Sequence, residues 1–213
     1  MEPKPVALDL FSGRGGWTDG LLAAGFRVIG FDIKEYEGYK GEFVKRDILE
    51  MTAEEIRSYN PKFICCSSPC EQFSVHGMKC FHKNPKHPEL GIKLFEHSKM
   101  LCESSGVPYI MENVRAAQTF VGRSVNHCGP FHLWGNGIPA IIPPEVYKEN
   151  KGMALGIPAN YAELTPEEIR AERRKSDKWY VKNKRQRAAT SATIPMSLSS
   201  YVGRIAMENY GRL

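Results

Sequence analysis

Short apolar runs separated by amphipathic segments dominate the first half of the chain. Such continuous runs are typical of strands that are buried on both faces of a parallel sheet. Between them, helices are predicted over residues 17–24, from a capping box at Thr52, and around residues 94–102, where apolar side chains share one face. The alternation predicts an α/β fold with a doubly wound, mostly parallel sheet. The predicted strands are residues 6–11, 27–31, 62–66 and 108–111.

The alternation fades after Asn113, and Pro and Gly become frequent over residues 129–144. A further helix is predicted from Thr165, where Thr-Pro-Glu-Glu forms a capping pattern, and a final helix over residues 194–207, entered through Pro195. Too few residues remain for a second domain of ordinary size. A single domain over residues 1–213 is therefore predicted.

Positive charge is concentrated in one segment, from Arg170 to Arg187. The net charge of +5 and the isoelectric point near 8.8 allow a polyanionic partner without identifying one. Trp179 and Tyr180 lie in this segment, and cations beside aromatic rings suit contacts with phosphates and bases. A solvated helix face is the alternative interpretation. The basic residues are Arg170, Arg173, Arg174, Lys175, Lys178, Lys182, Lys184, Arg185 and Arg187.

The six cysteines are expected to be reduced thiols of an intracellular protein, because the polar start of the chain does not resemble a secretion signal. No apolar run approaches the ~20 residues that span a membrane. Cys65 and Cys66 fall within an apolar strand and are interpreted as inert core residues. No metal is expected, because no standard zinc spacing is found in the one local group of candidate ligands, Cys70, His76, Cys80 and His82.

Candidate ligand-binding residues follow the first two strands, at the sheet edge where doubly wound folds bind ligands. A glycine cluster at residues 13–16 follows the first strand, and Asp32 ends the second at the position of a ribose-binding acid. Because the spacing differs from the Gly-x-Gly-x-x-Gly dinucleotide fingerprint, a nucleoside ligand is favoured over NAD. A simple strand-to-helix turn is the alternative.

Candidate reactive groups follow the next two strands. Cys70 comes after Pro69 in a loop, where a nearby helix start or cation could favour a nucleophilic thiolate; an inert buried thiol is the alternative. Glu112 and Asn113 end the fourth strand and would face the same crevice. Burial there would raise the pKa of the Glu112 carboxyl, providing a protonated donor near neutral pH, whereas a helix-capping role is the alternative.

The order and spacing of these segments resemble the cytosine-C5 DNA methyltransferase family. The resemblance implies a Rossmann-like methyltransferase fold, S-adenosylmethionine as the cofactor and a cytosine in DNA, flipped out of the duplex, as the target. The chain is similar to compact members of the family, such as those of phages. The resemblance therefore also implies a location in the cytoplasm of a bacterium or of an infected host. The matching motifs are Asp9-Leu-Phe-Ser-Gly-x-Gly-Gly16, Pro69-Cys70 with Phe73-Ser74, Glu112-Asn-Val114 and, near the end, Ile194-Pro-Met-Ser-Leu198.

The resemblance also assigns roles to individual residues. Cys70 would attack carbon 6 of the cytosine, Glu112 would hydrogen-bond or protonate N3, and Asn113 would help to hold the Pro-Cys loop. Carbon 5 would then accept the methyl group, a base would remove the C5 proton, and the thiolate would leave. The cofactor-binding residues implied are Phe11, Ser12, Gly13, Gly15, Gly16, Asp32, Ile33, Asp47, Ile48 and Pro69.

The chain departs from the family pattern in four places. Glu71 replaces the usual Gln after Pro-Cys, and its charge would disfavour the Cys70 thiolate. The Arg-rich motif that holds the target base is missing, so His127, His132 or Arg115 would have to substitute. Ala192-Thr193 stands where Gly-Asn opens the closing motif, with Thr193 as a weaker hydrogen-bond former. A reduced basic insert at about 137–190 stands in place of a full target-recognition domain.

Three functions remain open at this stage. The first is DNA cytosine-C5 methylation with short or relaxed sequence specificity, in which DNA contacts the basic run through Arg170, Arg173, Arg174, Lys178, Lys182, Arg185 and Arg187. The second is methylation of cytosine in RNA or in a free nucleotide, which the short insert motivates. The third is a catalytically silent nucleic-acid-binding module, motivated by Glu71 and the missing Arg motif. The sequence leaves the oligomeric state open.

Overall fold

A computed structural model describes residues 3–74, 88–146 and 193–211, and within them seven strands form one sheet. The strands are β1 (Val6–Leu10), β2 (Arg27–Asp32), β3 (Glu42–Lys45), β4 (Pro61–Cys66), β5 (Tyr109–Val114), β6 (Asn126–Cys128) and β7 (Phe131–Trp134). Their order across the sheet is β3-β2-β1-β4-β5-β7-β6. Strands β1 to β5 run parallel, whereas β7 is antiparallel to both β5 and β6.

Helices cover both faces of this sheet. They are α1 (Gly16–Ala23), α2 (Ala53–Ser58), α3 (Glu89–Ser105), α4 (Gln118–Val121) and α5 (Met196–Tyr210), with 3-10 turns at Ile48–Glu50 and Arg115–Ala117. The predicted cap of α2 is present, since the Thr52 hydroxyl accepts a hydrogen bond from the Glu55 N–H at 3.2 Å. Gly106 ends α3 in the left-handed region, at φ 72°.

The predicted doubly wound, mostly parallel sheet is confirmed, and each of the four predicted strands is present with shifted ends. Three strands were not predicted. Strand β3 lies at the sheet edge with its residues half-buried or exposed, so it lacks an apolar run. Strands β6 and β7 form a hairpin whose apolar pattern is short and interrupted by His132, which is nevertheless buried.

Alternating residues of the central strands face two separate apolar layers. One layer packs Ala7 and Ile110 against α1 and α5, which contribute residues such as Trp17 and Leu198. The other packs the opposite strand faces against α2 and α3 through Ile56, Phe95 and Leu101. The central strands are thus buried on both sides, which is why they are apolar throughout.

Helices α1 and α5 cross closely because small residues lie between them. A β-carbon added at Gly20 would fall on the backbone of Ser199 and Ser200, and one added at Gly203 would come within 2.9 Å of the Gly20 carbonyl oxygen. Glycine is therefore required at these positions by contact distance rather than by a special backbone angle. Helix α5 therefore packs directly against α1, the helix that follows the glycine cluster at residues 13–16.

Substituting Gly20→Ala is expected to lower the free energy of unfolding by about 2 kcal/mol, because the added methyl group forces the two helices apart. Helix propensity alone would predict the opposite sign, a gain of roughly 1 kcal/mol. The measurement is urea unfolding at equilibrium. Ala23→Val, at an exposed position of the same helix, is the control and should change stability by less than about 1 kcal/mol. A stabilised Gly20→Ala protein would contradict the close crossing.

Candidate active site

The carboxyl ends of β1, β2, β4 and β5 meet at one edge of the sheet because these strands are parallel. The predicted site residues that follow these strands are therefore brought to the same edge: residues 11–16, Asp32, Pro69-Cys70 and Glu112-Asn113. A shallow groove at the opposite edge, lined by residues such as Pro5, Phe26 and Lys62, contains none of them.

The loop between β1 and α1 contains three residues in the left-handed region of backbone conformation. Phe11, Gly13 and Gly15 have positive φ angles of 59°, 50° and 87°, so two glycines occupy left-handed positions without steric cost. The Asp32 carboxylate reaches across from β2 and accepts hydrogen bonds from the Gly13 N–H at 3.0 Å and the Lys34 N–H at 3.1 Å. The loop and the end of β2 thus form one cradle.

Beneath this cradle, Asp9 fixes the start of α1 to β1. Its buried carboxylate accepts from the Thr18 N–H at 3.1 Å and from the Thr18 hydroxyl at 2.6 Å, while the Tyr39 hydroxyl lies 2.8 Å from the same Thr18 oxygen. Burial raises the pKa of Asp9 to about 7, against the two Thr18 hydrogen bonds, which lower it. Thr18 and Tyr39 were not predicted, since only the fold brings them beside the Asp9 motif.

The raised pKa of Asp9 predicts stability that falls with rising pH. The carboxyl titrates near 3.8 when unfolded and near 7 when folded, so its contribution is present at low pH and lost as the pH rises through about 7. In Asp9→Asn that loss is absent. Between pH 5 and pH 8 the mutant should gain roughly 3 kcal/mol relative to the parent protein, measured by urea unfolding. Parallel pH dependences of the two proteins would contradict this assignment.

Cys70 lies in a tight turn after β4. Its carbonyl oxygen accepts from the Phe73 N–H at 3.0 Å and from the Ser74 hydroxyl at 2.9 Å, which fixes the loop around the thiol. Cys70 is half-buried, whereas Cys65 and Cys66, as expected, are fully buried. Cys70 is thus a half-buried residue in a fixed turn at the candidate site.

The Cys70 thiol is protonated at neutral pH. Burial is the largest cause of its raised pKa, which is about 11, and the Glu112 carboxylate is the second cause. Ser74 lowers the pKa, while Glu71 raises it by less than Glu112 does. The repulsion expected from Glu71 is therefore present but secondary.

Glu112 is buried at the end of β5, with 8% of the residue exposed, and burial raises its pKa to about 7. The Ser67 hydroxyl donates to its Oε2 at 3.0 Å and opposes that rise. Ser67 in turn accepts from the indole N–H of Trp17 at 2.9 Å. Neither Trp17 nor Ser67 was predicted. The only sequence signal is their position beside the glycine loop and the Pro-Cys pair.

Asn113 is fully buried and ties β5 to the Pro-Cys loop. Its side-chain amide donates to the backbone oxygen of Ser68 at 3.0 Å and to the Ser68 hydroxyl at 3.2 Å. Its own amide oxygen accepts from the Val114 N–H at 2.8 Å. These bonds join the end of β5 to the loop that carries Cys70.

The remaining predicted cofactor residues differ in exposure. Ile33 is 65% exposed beside Asp32, and Pro69 is also exposed. Asp47 caps a 3-10 turn by accepting from the Leu49 N–H at 2.9 Å, whereas the Ile48 side chain is 1% exposed and packs in the core. Their roles toward a cofactor stay predictions.

The residues suggested as substitutes for the missing Arg motif lie beside β5. His132 pairs with Asn113 across the sheet, stacks on His127 with ring centroids 5.1 Å apart, and has Nδ1 2.9 Å from the Ser124 hydroxyl. Burial lowers the pKa of His132, with smaller effects from His127 and Arg115. The lowered pKa favours the neutral form of the His132 ring, and a role of His132 in holding a base stays a prediction.

Several predictions fall outside the described residues. These are the basic run from Arg170 to Arg187, the helix start at Thr165, and the three candidate ligands His76, Cys80 and His82. Within the described ranges, no cluster of at least three His, Cys, Asp or Glu side chains suits a metal ion. In the same ranges, none of the helices combines the length and apolar character needed to cross a membrane.

Comparison with known proteins matches residues 6–126 to the family of C-5 cytosine-specific DNA methylases. The Type II methyltransferase M.AplI of Arthrospira platensis is 31% identical over 98 residues, covering 45% of this chain and 28% of that protein. The Type II methylase M.HgiDII of Herpetosiphon aurantiacus is 27% identical over 189 residues, covering 68% and 51%. The chain thus spans about half or less of the lengths of these relatives.

Solved structures with a similar fold include a mutant of Spodoptera frugiperda DNMT2, at 21% identity and a TM-score of 0.39, covering 54% of this chain and 37% of that one. The S. pombe Dnmt2 methyltransferase is 18% identical with a TM-score of 0.40, covering 56% and 38%.

Proposed function

Because the chain belongs to the C-5 cytosine-specific DNA methylase family, we propose that it transfers a methyl group from S-adenosylmethionine to carbon 5 of cytosine in DNA. The observation that carries this proposal is that a half-buried cysteine, Cys70, and a buried carboxyl, Glu112, lie at the same edge of the sheet, where the amide of Asn113 bonds to Ser68 of the Pro-Cys loop. A nucleophile and an acid beside it are what attack on carbon 6 and protonation of N3 require.

The cradle at Asp32 fits the proposed cofactor. Each Asp32 oxygen accepts one backbone N–H, and a carboxylate can accept about four hydrogen bonds, so both ribose hydroxyls can still donate to it. Ile33 offers an exposed apolar surface to the adenine, and Gly13 leaves the loop backbone open to the methionine part. When bound, S-adenosylmethionine supplies an electrophilic methyl group on its sulfonium.

The proposed reaction begins when Cys70 loses its thiol proton to water and its sulfur bonds to carbon 6. Glu112 gives its proton to N3, so the electron pair of the C5–C6 double bond is left on carbon 5, which would take the methyl group as the bond from that group to the cofactor sulfur breaks and its electron pair stays on sulfur. A base then removes the C5 proton. The double bond reforms, the Cys70 thiolate leaves, and the N3 proton returns to Glu112.

The protonation states of the two groups support this order. With a pKa of about 7, Glu112 is roughly half protonated at neutral pH and is available as an acid. A protonated Glu112 no longer repels a thiolate, so the state that can protonate N3 is also the state in which Cys70 ionises more readily. The same proton therefore assists both steps.

Methylation of cytosine in RNA or in a free nucleotide is the alternative that the experiment must separate from methylation of DNA. For methylation of DNA, we propose that the basic run at residues 170–187 contacts the DNA. The test is transfer of labelled methyl groups to duplex DNA, RNA and dCMP in parallel. Label on DNA alone is expected. Label on RNA or dCMP alone would overturn the DNA assignment, and DNA binding without transfer to any substrate would indicate a silent module.

A further inference from the structure

A hydrogen-bonded chain joins the start of α1 to the candidate acid. The indole N–H of Trp17 donates to the Ser67 hydroxyl oxygen at 2.9 Å, and the Ser67 hydroxyl donates to Glu112 Oε2 at 3.0 Å. Trp17 is the second residue of α1, directly after the glycine loop, and it is 2% exposed. Ser67 follows β4 and precedes the Pro-Cys pair. The series of hydrogen bonds therefore joins α1, the loop after β4 and the end of β5.

We propose that Ser67, held by Trp17, is a positioning residue that keeps Glu112 Oε2 as a hydrogen-bond acceptor and thereby leaves Oε1 to carry the proton given to the cytosine. This inference rests on the proposed function, since it concerns the acid of that reaction. It goes further by assigning the proton to one oxygen and the control of that proton to two residues outside the family motifs.

The argument follows from the hydrogen-bonding capacity of each group. An indole N–H is a donor only, so the Ser67 oxygen must accept from Trp17, and among the described residues Glu112 Oε2 is the one acceptor recorded for the single Ser67 hydrogen. While Oε2 accepts that hydrogen, the acid proton belongs on Oε1. Among the described residues, Ser67 is the one hydrogen-bond partner recorded for the Glu112 carboxyl, so a proton on Oε1 is not committed to another of these groups.

Burial makes this arrangement costly to lose. Without the Ser67 hydroxyl, the Trp17 N–H would remain unpaired in the core and the acid proton could occupy either carboxyl oxygen. The Glu112 carboxylate raises the pKa of two thiols, those of Cys66 and Cys70. Neither thiol donates a hydrogen bond to Glu112 Oε2 in the described structure. Ser67 is therefore the group that sets the orientation of the carboxyl.

The test is a carboxyl-carbon NMR titration of Glu112 in the full chain, with the resonance assigned by its loss in Glu112→Gln. In Ser67→Ala the titration midpoint should move to higher pH, because the hydrogen bond that stabilises the carboxylate is gone. Methyl transfer should fall roughly tenfold in kcat with little change in KM. Ser67→Thr keeps a hydroxyl and should restore both values. Ser105→Ala, which removes a buried serine hydroxyl at the far end of α3, is the matched control and should not move the midpoint.

Trp17→Phe tests the second link, because it keeps an aromatic ring in the core and removes only the N–H donor. It should raise the midpoint by less than Ser67→Ala does. An unchanged midpoint in folded Ser67→Ala, or a Ser67→Thr protein that behaves like Ser67→Ala, would overturn the proposal. The titration needs no substrate. A midpoint shift without methyl transfer by the parent protein would therefore refute only the proposed function, and transfer without a shift would refute only the role of Ser67.

Discussion

Cys70→Ala is expected to abolish methyl transfer, with a loss on the order of 10⁴-fold or more, because the thiol sulfur forms the bond that makes carbon 5 nucleophilic. It should also abolish the covalent complex with duplex DNA that contains 5-fluorocytosine in the presence of S-adenosylmethionine. Fluorine at carbon 5 cannot be removed as a proton, so the parent protein stops with sulfur still bonded to carbon 6. The measurement is a denaturing gel that separates free DNA from protein-linked DNA.

The matched control for Cys70→Ala is Cys102→Ala. Cys102 is a buried thiol of α3 with a raised pKa that has burial as its largest cause. Its replacement should cost about 1 kcal/mol of stability and leave adduct formation intact. If Cys102→Ala lost the adduct and Cys70→Ala kept it, the assignment of the nucleophile would be wrong. Loss in Cys70→Ala alone would support both the nucleophile and the DNA substrate.

Glu112→Gln is expected to lower methyl transfer by roughly 10²–10⁴-fold, because an amide cannot give a proton to N3. The same substitution should make Cys70 more reactive toward iodoacetamide at pH 8. Burial remains the larger cause of the raised thiol pKa, but the repulsion from the Glu112 carboxylate is removed. A folding defect would also speed alkylation of a fully buried thiol such as Cys102, so a rise at Cys70 without a rise at Cys102 separates a chemical role of Glu112 from a loss of folding.

Alkylation at Cys70 is followed by mass spectrometry of the peptide that contains it, so that other thiols do not contribute. Glu71→Gln is the control, because Glu71 is exposed and repels the Cys70 thiolate less than Glu112 does. It should raise the alkylation rate by less and retain methyl transfer. A loss of methyl transfer in Glu71→Gln equal to that in Glu112→Gln would argue against a distinct acid.

The sequence was most informative for strands whose apolar runs both identify the strand and fix the position of the residue that follows it. Strands β1, β4 and β5 are buried on both faces, so their apolar runs identified them, and the reactive residues that follow them had to meet at one edge. Strand β3 carried no such signal, since its ends, Glu42 and Lys45, are exposed. His132 concealed β7, because a buried histidine inside a strand depends on a partner, Ser124, that the local pattern does not reveal.

Contacts within the site were harder to predict than its members. Cys70, Glu112 and Asn113 were predicted from their motifs, but the bonds around them join residues that are far apart in sequence. Trp17 and Ser67 are separated by 50 positions, and neither residue type implies such a contact. The hydrogen bonds of Asp9 likewise depend on the crossing of β1 and α1, which periodicity cannot specify.

The close crossing of α1 and α5 bears on how the chain folds during synthesis. The face of α1 that carries Gly20 is completed only by α5, and Ile194 packs against Gly16 at the end of the glycine loop. Contacts of such large sequence separation form slowly and late. When the ribosome has made β1 to β7, the candidate reactive residues Cys70 and Glu112 have been synthesised. The glycine loop between β1 and α1 still lacks its contacts with Ile194 and α5. Methyl transfer should begin only after α5 has docked.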